Sequence, residues 1–142
     1  MKRDELVWFL RRYRLAVQAS VAPDGSPQAA VVGYAVSDDL EIVFDTVATT
    51  RKSLNLRADS RIALVVGWDD AITAQLEGTA DFPAGDDLER LRECYFRVYP
   101  DGRDRQSWPG ITYVRVRPSW VRYSDFTQDP PHVVEVRAAQ LD

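Results

Sequence analysis

Thr49, Thr50, Arg51 and Lys52 stand together in "ATTRKSLNL" (Ala48–Leu56), a stretch whose spacing reads as the first turns of a helix. A threonine at the N-cap would satisfy one first-turn N–H group and leave others free. That end of a helix carries partial positive charge, so each cation in the opening turn costs roughly a few tenths of a kcal/mol. A bound phosphate reverses the sign, because hydroxyls, free N–H groups, Arg51 and Lys52 together make an anion cradle. On local physics alone a solvated helix start, where two long side chains cost little, stands beside that reading. Lys52 is one of only two lysines in a chain that otherwise uses arginine.

Other reactive groups are sparse. The single histidine, His132, follows two prolines and reads as a solvated loop residue, and one histidine cannot build a multi-histidine metal centre. Cys94 is the only cysteine and lies among charged residues, an idle thiol rather than a nucleophile. No glycine-rich phosphate loop is present. Any catalysis would therefore belong to a bound cofactor.

The elements that must position these groups follow from periodicity. Asp4 to Arg12 reads as an amphipathic helix with Leu6, Phe9 or Leu10, and Tyr13 on its packed side. From Leu15 the period becomes two, with Leu15, Val17, Ala19 and Val21 as the apolar set and Ala16, Gln18 and Ser20 alternating with them. Pro23-Asp24-Gly25 turns the chain into a returning strand, Gln28–Val36. Ser37-Asp38-Asp39 turns it again into Leu40–Thr46. A short helix, Arg51–Ala58, is expected to bury Leu54 and Ala58. Strands Ile62–Trp68 and Ile72–Asp81 follow, and Gly85-Asp86-Asp87 opens a helix reaching about Val98. Ile111–Arg117 and Trp120–Asp125 are read as two further strands, and Val133–Arg137 as a last strand or a frayed tail. Short strands joined by tight turns predict a mostly β fold, an antiparallel barrel or sandwich with helices filling the gaps, in one domain over residues 1–142.

Composition sets the surroundings. With 142 residues, 45% apolar and 28% charged, the chain is an ordinary globular sequence, and its net charge of −4 argues against nucleic acid or an anionic membrane as partner. The N-terminal "MKRDELVWFLRRYR" holds only a five-residue apolar run, too short for a signal peptide or a membrane span. A cytoplasmic location is expected.

Four segments carry a resemblance. "APDGSPQAA" (22–30), "IVFDT" (42–46), "TRKSLNLRADSRIALVV" (50–66) and "LEGTADF" (76–82) keep the order and spacing of the pyridoxamine 5′-phosphate oxidase-like, FMN-binding split β-barrels, and the similarity extends over residues 14–125. The resemblance implies an antiparallel split barrel, a homodimer with FMN in a groove at its interface, and flavin-dependent oxidation or reduction of a small molecule. It makes Arg51 and Lys52 the flavin phosphate ligands with Thr50 as hydroxyl donor. Asp45 and Thr46 match the flavin-contacting strand end, and backbone around Val32 and Gly33 would line the ring. Thr73 matches a flavin-contacting polar position, and Gln75 shares its strand face. A deazaflavin in the same groove, and a stress-associated protein that holds flavin without turnover, are the alternatives; a haem-binding split barrel would need His132 as axial ligand.

Departures from the family pattern are concentrated at the vitamin's phosphate. Family members that oxidise pyridoxamine phosphate carry an arginine and a lysine where this chain has Ala30 and Ala35. Tyr95 matches a substrate-phosphate tyrosine, but the arginine and serine expected after it are Tyr99 and Arg103, and "WVRYSDF" (120–126) replaces the C-terminal signature. Vitamin B6 oxidation is not expected.

Overall fold

Eight strands form one curled antiparallel sheet, a split barrel, in a computed structural model that describes residues 1–142. In chain order the elements are α1 (Arg3–Leu10), β1 (Leu15–Val21), β2 (Pro27–Gly33), β3 (Ala35–Val36), β4 (Ile42–Val47), α2 (Arg51–Ala58), β5 (Arg61–Val66), β6 (Ile72–Asp81), α3 (Gly85–Val98), α4 (Gly102–Arg105), β7 (Ile111–Asp125) and β8 (His132–Arg137). The spatial order is β2-β1-β5-β6-β7-β4-β3, with β8 pairing β7 beside that path.

The core lies inside the curl and α1 plugs it, burying Leu6, Val7, Phe9 and Leu10 against Ile42, Phe44, Leu64, Leu76 and Val114. Each such side chain contributes about 1.5–3 kcal/mol when fully buried. β4 is covered on both faces. Ile42 and Phe44 point into this core, whereas Val43 packs with Leu91, Tyr95, Phe96 and Tyr113 under α3. That double burial explains the unbroken apolar run Ile42-Val43-Phe44.

Several expectations are corrected. In β1 the buried parity is Ala16, Gln18 and Ser20, not the more apolar set; Leu15 is 48% exposed. Polar side chains can face inward there because Asn55 on α2 reaches them, donating from Nδ2 to Ser20 Oγ at 3.1 Å and to Gln28 Oε1 at 2.8 Å. For the same reason α2 buries Ser53, Asn55 and Leu56, while Leu54 and Ala58 are exposed. The expected strand Gln28–Val36 breaks at Tyr34, whose buried hydroxyl donates to the Leu10 carbonyl and whose N–H turns to Arg14 O at 3.2 Å. Ile111–Asp125 is one fifteen-residue strand rather than two. Pro118 passes through it at a bulge opposite Gly78, where any Cβ would lie 2.2 Å from the Arg117 carbonyl oxygen. The tail does pair, as β8, and α4 is a helix within the segment read as loop. No helix is long and apolar enough to cross a membrane.

Candidate functional site

The β4–α2 turn builds the centre of the site. Thr50 is the N-cap: its Oγ1 accepts from the Ser53 N–H at 3.4 Å and lies 2.9 Å from Thr46 Oγ1. Thr46 is held in turn by its backbone carbonyl, which accepts from Thr112 Oγ1 at 2.8 Å. Arg51 and Lys52 therefore begin a helix whose first turn contains no acid, and neither cation enters an ion pair or a side-chain hydrogen bond.

Both cations line a hollow of about 140 Å³ with Gln18, Ser20, Gln28, Ala29 and Ala30 of β1 and β2. Gln18 is 1% exposed, yet its Oε1 has no hydrogen-bond partner, and neither has the fully buried Ser53 Oγ. A buried polar atom left unpaired costs about 1–3 kcal/mol, and Gln18 Oε1, an acceptor on the wall of the hollow, would be satisfied by a donor there. The donor set, two unpaired cations, the one hydroxyl hydrogen that the Thr46–Thr50 pair leaves free and a helix N-terminus, matches a phosphate monoester. Sequence reading missed Gln18, Ser20, Gln28 and Asn55. Their signal was the polar parity of β1, together with Asn55 one helical turn after Arg51.

The remaining expected residues are distributed around this centre. Asp45 points to the opposite face of β4 from Thr46, as strand alternation requires. Its carboxylate accepts from Arg105 Nε at 2.8 Å and from the Tyr95 hydroxyl at 3.0 Å, so it is engaged under α3 and away from the hollow. Val32 is buried in the core, and Gly33 lies under Tyr99, whose hydroxyl carbon and oxygen would both be 2.6 Å from an added Cβ. Thr73 is half-buried and Gln75 exposed on the outer sheet face, where Gln75 pairs with Val65. Neither reaches the hollow of Arg51 and Lys52 in the same protomer. His132 starts β8 rather than lying in a loop, and it is exposed at the mouth of a cavity of about 650 Å³ bordered by Trp8, Phe9 and Tyr123.

Residues 3–125 match the family model described as pyridoxamine 5′-phosphate oxidase. The chain belongs to this family. Among curated members, the pyridoxine/pyridoxamine 5′-phosphate oxidase of Rubrobacter xylanophilus is 33% identical over 93 residues, 65% of this chain and 41% of that protein. This family member thus spans less than half the length of the curated relative it matches. A haem-binding protein of Mycobacterium smegmatis superimposes with a TM-score of 0.83 at 16% identity, covering 98% of this chain and 59% of the other. A pyridoxamine 5′-phosphate oxidase-related, FMN-binding protein of Nostoc punctiforme gives 0.71 at 12% identity, covering 94% and 87%. At such identities these two likenesses establish the split-barrel fold.

Proposed function

We propose that the chain is one protomer of a homodimeric FMN-binding flavoprotein that oxidises or reduces a small molecule. The observation that carries this reading is the pair of cations without ion-pair partners at a threonine-capped helix start, lining one hollow with Gln18 and Ser20. Family membership supports FMN as the phosphate-bearing ligand. Arg51 and Lys52 would hold the phosphate, with one hydroxyl of the Thr46–Thr50 pair as a further donor. FMN in that position supplies reversible two-electron chemistry, and the chain supplies binding, orientation and exclusion of water.

The dimer is supported by the outer sheet face. Val31, Val17 and Val65 form a row across β2, β1 and β5, with Val31 58% and Val65 37% exposed, and Gln75 continues the row. A second copy covering this row would let one protomer's Arg51 and Lys52 and the partner's polar β6 residues serve one ligand, the shared groove that the family resemblance implies.

The deciding experiment is to denature the purified protein and identify what it releases by mass and absorbance. FMN is expected. A deazaflavin would replace the cofactor but keep the site, and failure of the protein to bind either when supplied would overturn the reading. Reduction by NADH or NADPH followed by reoxidation with candidate acceptors then separates an oxidoreductase from a protein that stores flavin without turnover.

A second reading rests on His132 beside the aromatic cavity of Trp8, Phe9 and Tyr123, an arrangement suited to a planar macrocycle with one axial imidazole. A Soret band on haem titration that disappears in His132→Ala would carry it.

A further inference from the structure

A cleft of about 580 Å³ opens between the end of α1, β3 and one side of α3, and none of its lining residues is shared with the hollow of Arg51 and Lys52. Its charge is the reverse of the molecule's: four guanidinium groups, Arg11, Arg14, Arg90 and Arg97, face two carboxylates, Asp38 and Asp39, in a protein of net charge −4. We propose that this cleft is a second ligand site, for a small organic anion with a carboxylate or phosphate head and an apolar body.

The four arginines divide into two pairs. Arg90 is committed to Glu41, at 2.7 and 3.0 Å, and Arg11 to Asp38 at 2.8 Å and the Val36 carbonyl. These two are fixed, and their partners neutralise their charge. Arg97 has neither an ion pair nor a hydrogen bond, and Arg14 spends one nitrogen on the Val98 carbonyl at 2.7 Å while its guanidinium stacks 4.7 Å above the Tyr99 ring. These two retain donors for an incoming anion. Leu10, Val36 and Val98 supply the apolar wall, and a cleft of this volume is of metabolite size. A scatter of solvated surface arginines would show neither the concavity nor the apolar wall. The site is independent of the flavin reading.

Cys94, the only cysteine, lines the same cleft and so reports on it. Burial above all pushes its thiol pKa up, with Glu41 adding to that, while Arg11, Arg97 and Arg90 pull it the other way.

The test is the rate at which neutral iodoacetamide alkylates Cys94 in the whole protein, at alkaline pH, with phenyl phosphate, benzoate or neutral benzamide present; calorimetric titration of the same compounds gives a direct second measure. Saturable protection and heat from phenyl phosphate, benzoate or both are expected, with benzamide inert; which anion protects assigns the head group. Arg97→Ala and Arg14→Ala should weaken binding about ten- to a hundredfold each, since each removes a charge-assisted hydrogen bond. Arg51→Ala/Lys52→Ala should leave it unchanged. No binding of either anion at about 10 mM, equal binding of benzamide, or undiminished binding in both arginine variants would overturn the proposal.

Discussion

Arg105 reaches back sixty positions to Asp45, its Nε 2.8 Å from Oδ2. The rest of the guanidinium is occupied too, donating from Nη1 to Asp101 at 2.9 Å and from Nη2 to the Tyr95 hydroxyl oxygen at 3.2 Å. Tyr95 closes the triangle by donating to Asp45 Oδ1. Burial first, then the charge of Asp45, pushes the Tyr95 pKa up, so this hydroxyl stays a neutral donor at every physiological pH. The tyrosine that matches the family's substrate-phosphate ligand is thus held in an internal ion-pair network.

That network sets the first prediction. A substrate phosphate at Tyr95 would have to displace Asp45 from Arg105 and would find Ala35 where a lysine is needed, losing charge-assisted bonds that contribute about 1.5–3 kcal/mol each. FMN-loaded protein should therefore not oxidise pyridoxine or pyridoxamine 5′-phosphate with oxygen at anything near the usual enzyme rate of about 1 per second. Turnover in that range, measured by product absorbance, would show that the site rearranges.

The second prediction concerns the cations of α2. Replacing Arg51 and Lys52 by alanine removes two charged hydrogen bonds to phosphate and should weaken FMN binding by about 3–6 kcal/mol, at least about a hundredfold. Without flavin, the folded state should be unaffected or slightly more stable, because the dipole repulsion at the first turn is relieved. Fluorescence titration gives the affinity and urea unfolding of the flavin-free protein gives the stability. Unchanged affinity would remove Arg51 and Lys52 from the site.

The third concerns assembly. Val31, on the edge strand β2, is 58% exposed at one end of the apolar row that crosses β2, β1 and β5. Val31→Arg would place an unpaired charge in a buried interface, a cost of several kcal/mol, and leave the core untouched. Sedimentation should show a monomer that has lost its flavin while its far-ultraviolet circular dichroism stays as in the parent. A dimer that keeps flavin would place the interface elsewhere.

Much of this fold was legible in the sequence because local signals agreed with it. A threonine cap and the helix Arg51–Ala58 follow from capping chemistry, with the structure choosing Thr50 over Thr49, and β4 announces its two-sided burial by three consecutive apolar residues. The reading failed where tertiary contacts override pattern. Leu15 and Val17 look like core residues, but they face the outer surface because Asn55 gives Gln28 and Ser20 a polar setting inside. Pro118 looked like a strand end, and only its register opposite Gly78 lets β7 run on. At the site, Arg51, Lys52 and a threonine beside them could be named from local spacing. Gln18 could not, since its role depends on β1 packing beside α2, and the ion pair of Asp45 spans sixty positions that no local rule connects.

The last prediction is acid sensitivity centred on Glu41. Its carboxylate is 8% exposed as a residue and accepts from Arg90 at 2.7 and 3.0 Å, from Ser37 Oγ at 2.9 Å and from Arg115 at 3.2 Å. The Arg90 bonds foremost, followed by those from Ser37 and Arg115, outweigh desolvation and hold the pKa down to about 2 from an ordinary 4.5. A depressed carboxylate pKa stabilises the folded state fully above the unfolded value, and that contribution is lost as pH falls from about 4.5 towards 2, where the unfolded chain binds a proton that the folded one does not. The shift corresponds to roughly 3 kcal/mol at most. Urea unfolding followed from pH 6 to pH 2 should show stability declining through this window. Glu41→Gln should lower stability at pH 6 by about 2–3 kcal/mol, less than for an isolated buried pair because Arg115 keeps Asp81 at 2.9 Å. The variant should also lose part of the slope between pH 4.5 and 2. A parent and variant with parallel curves there would mean that other carboxylates, not Glu41, govern the acid limb.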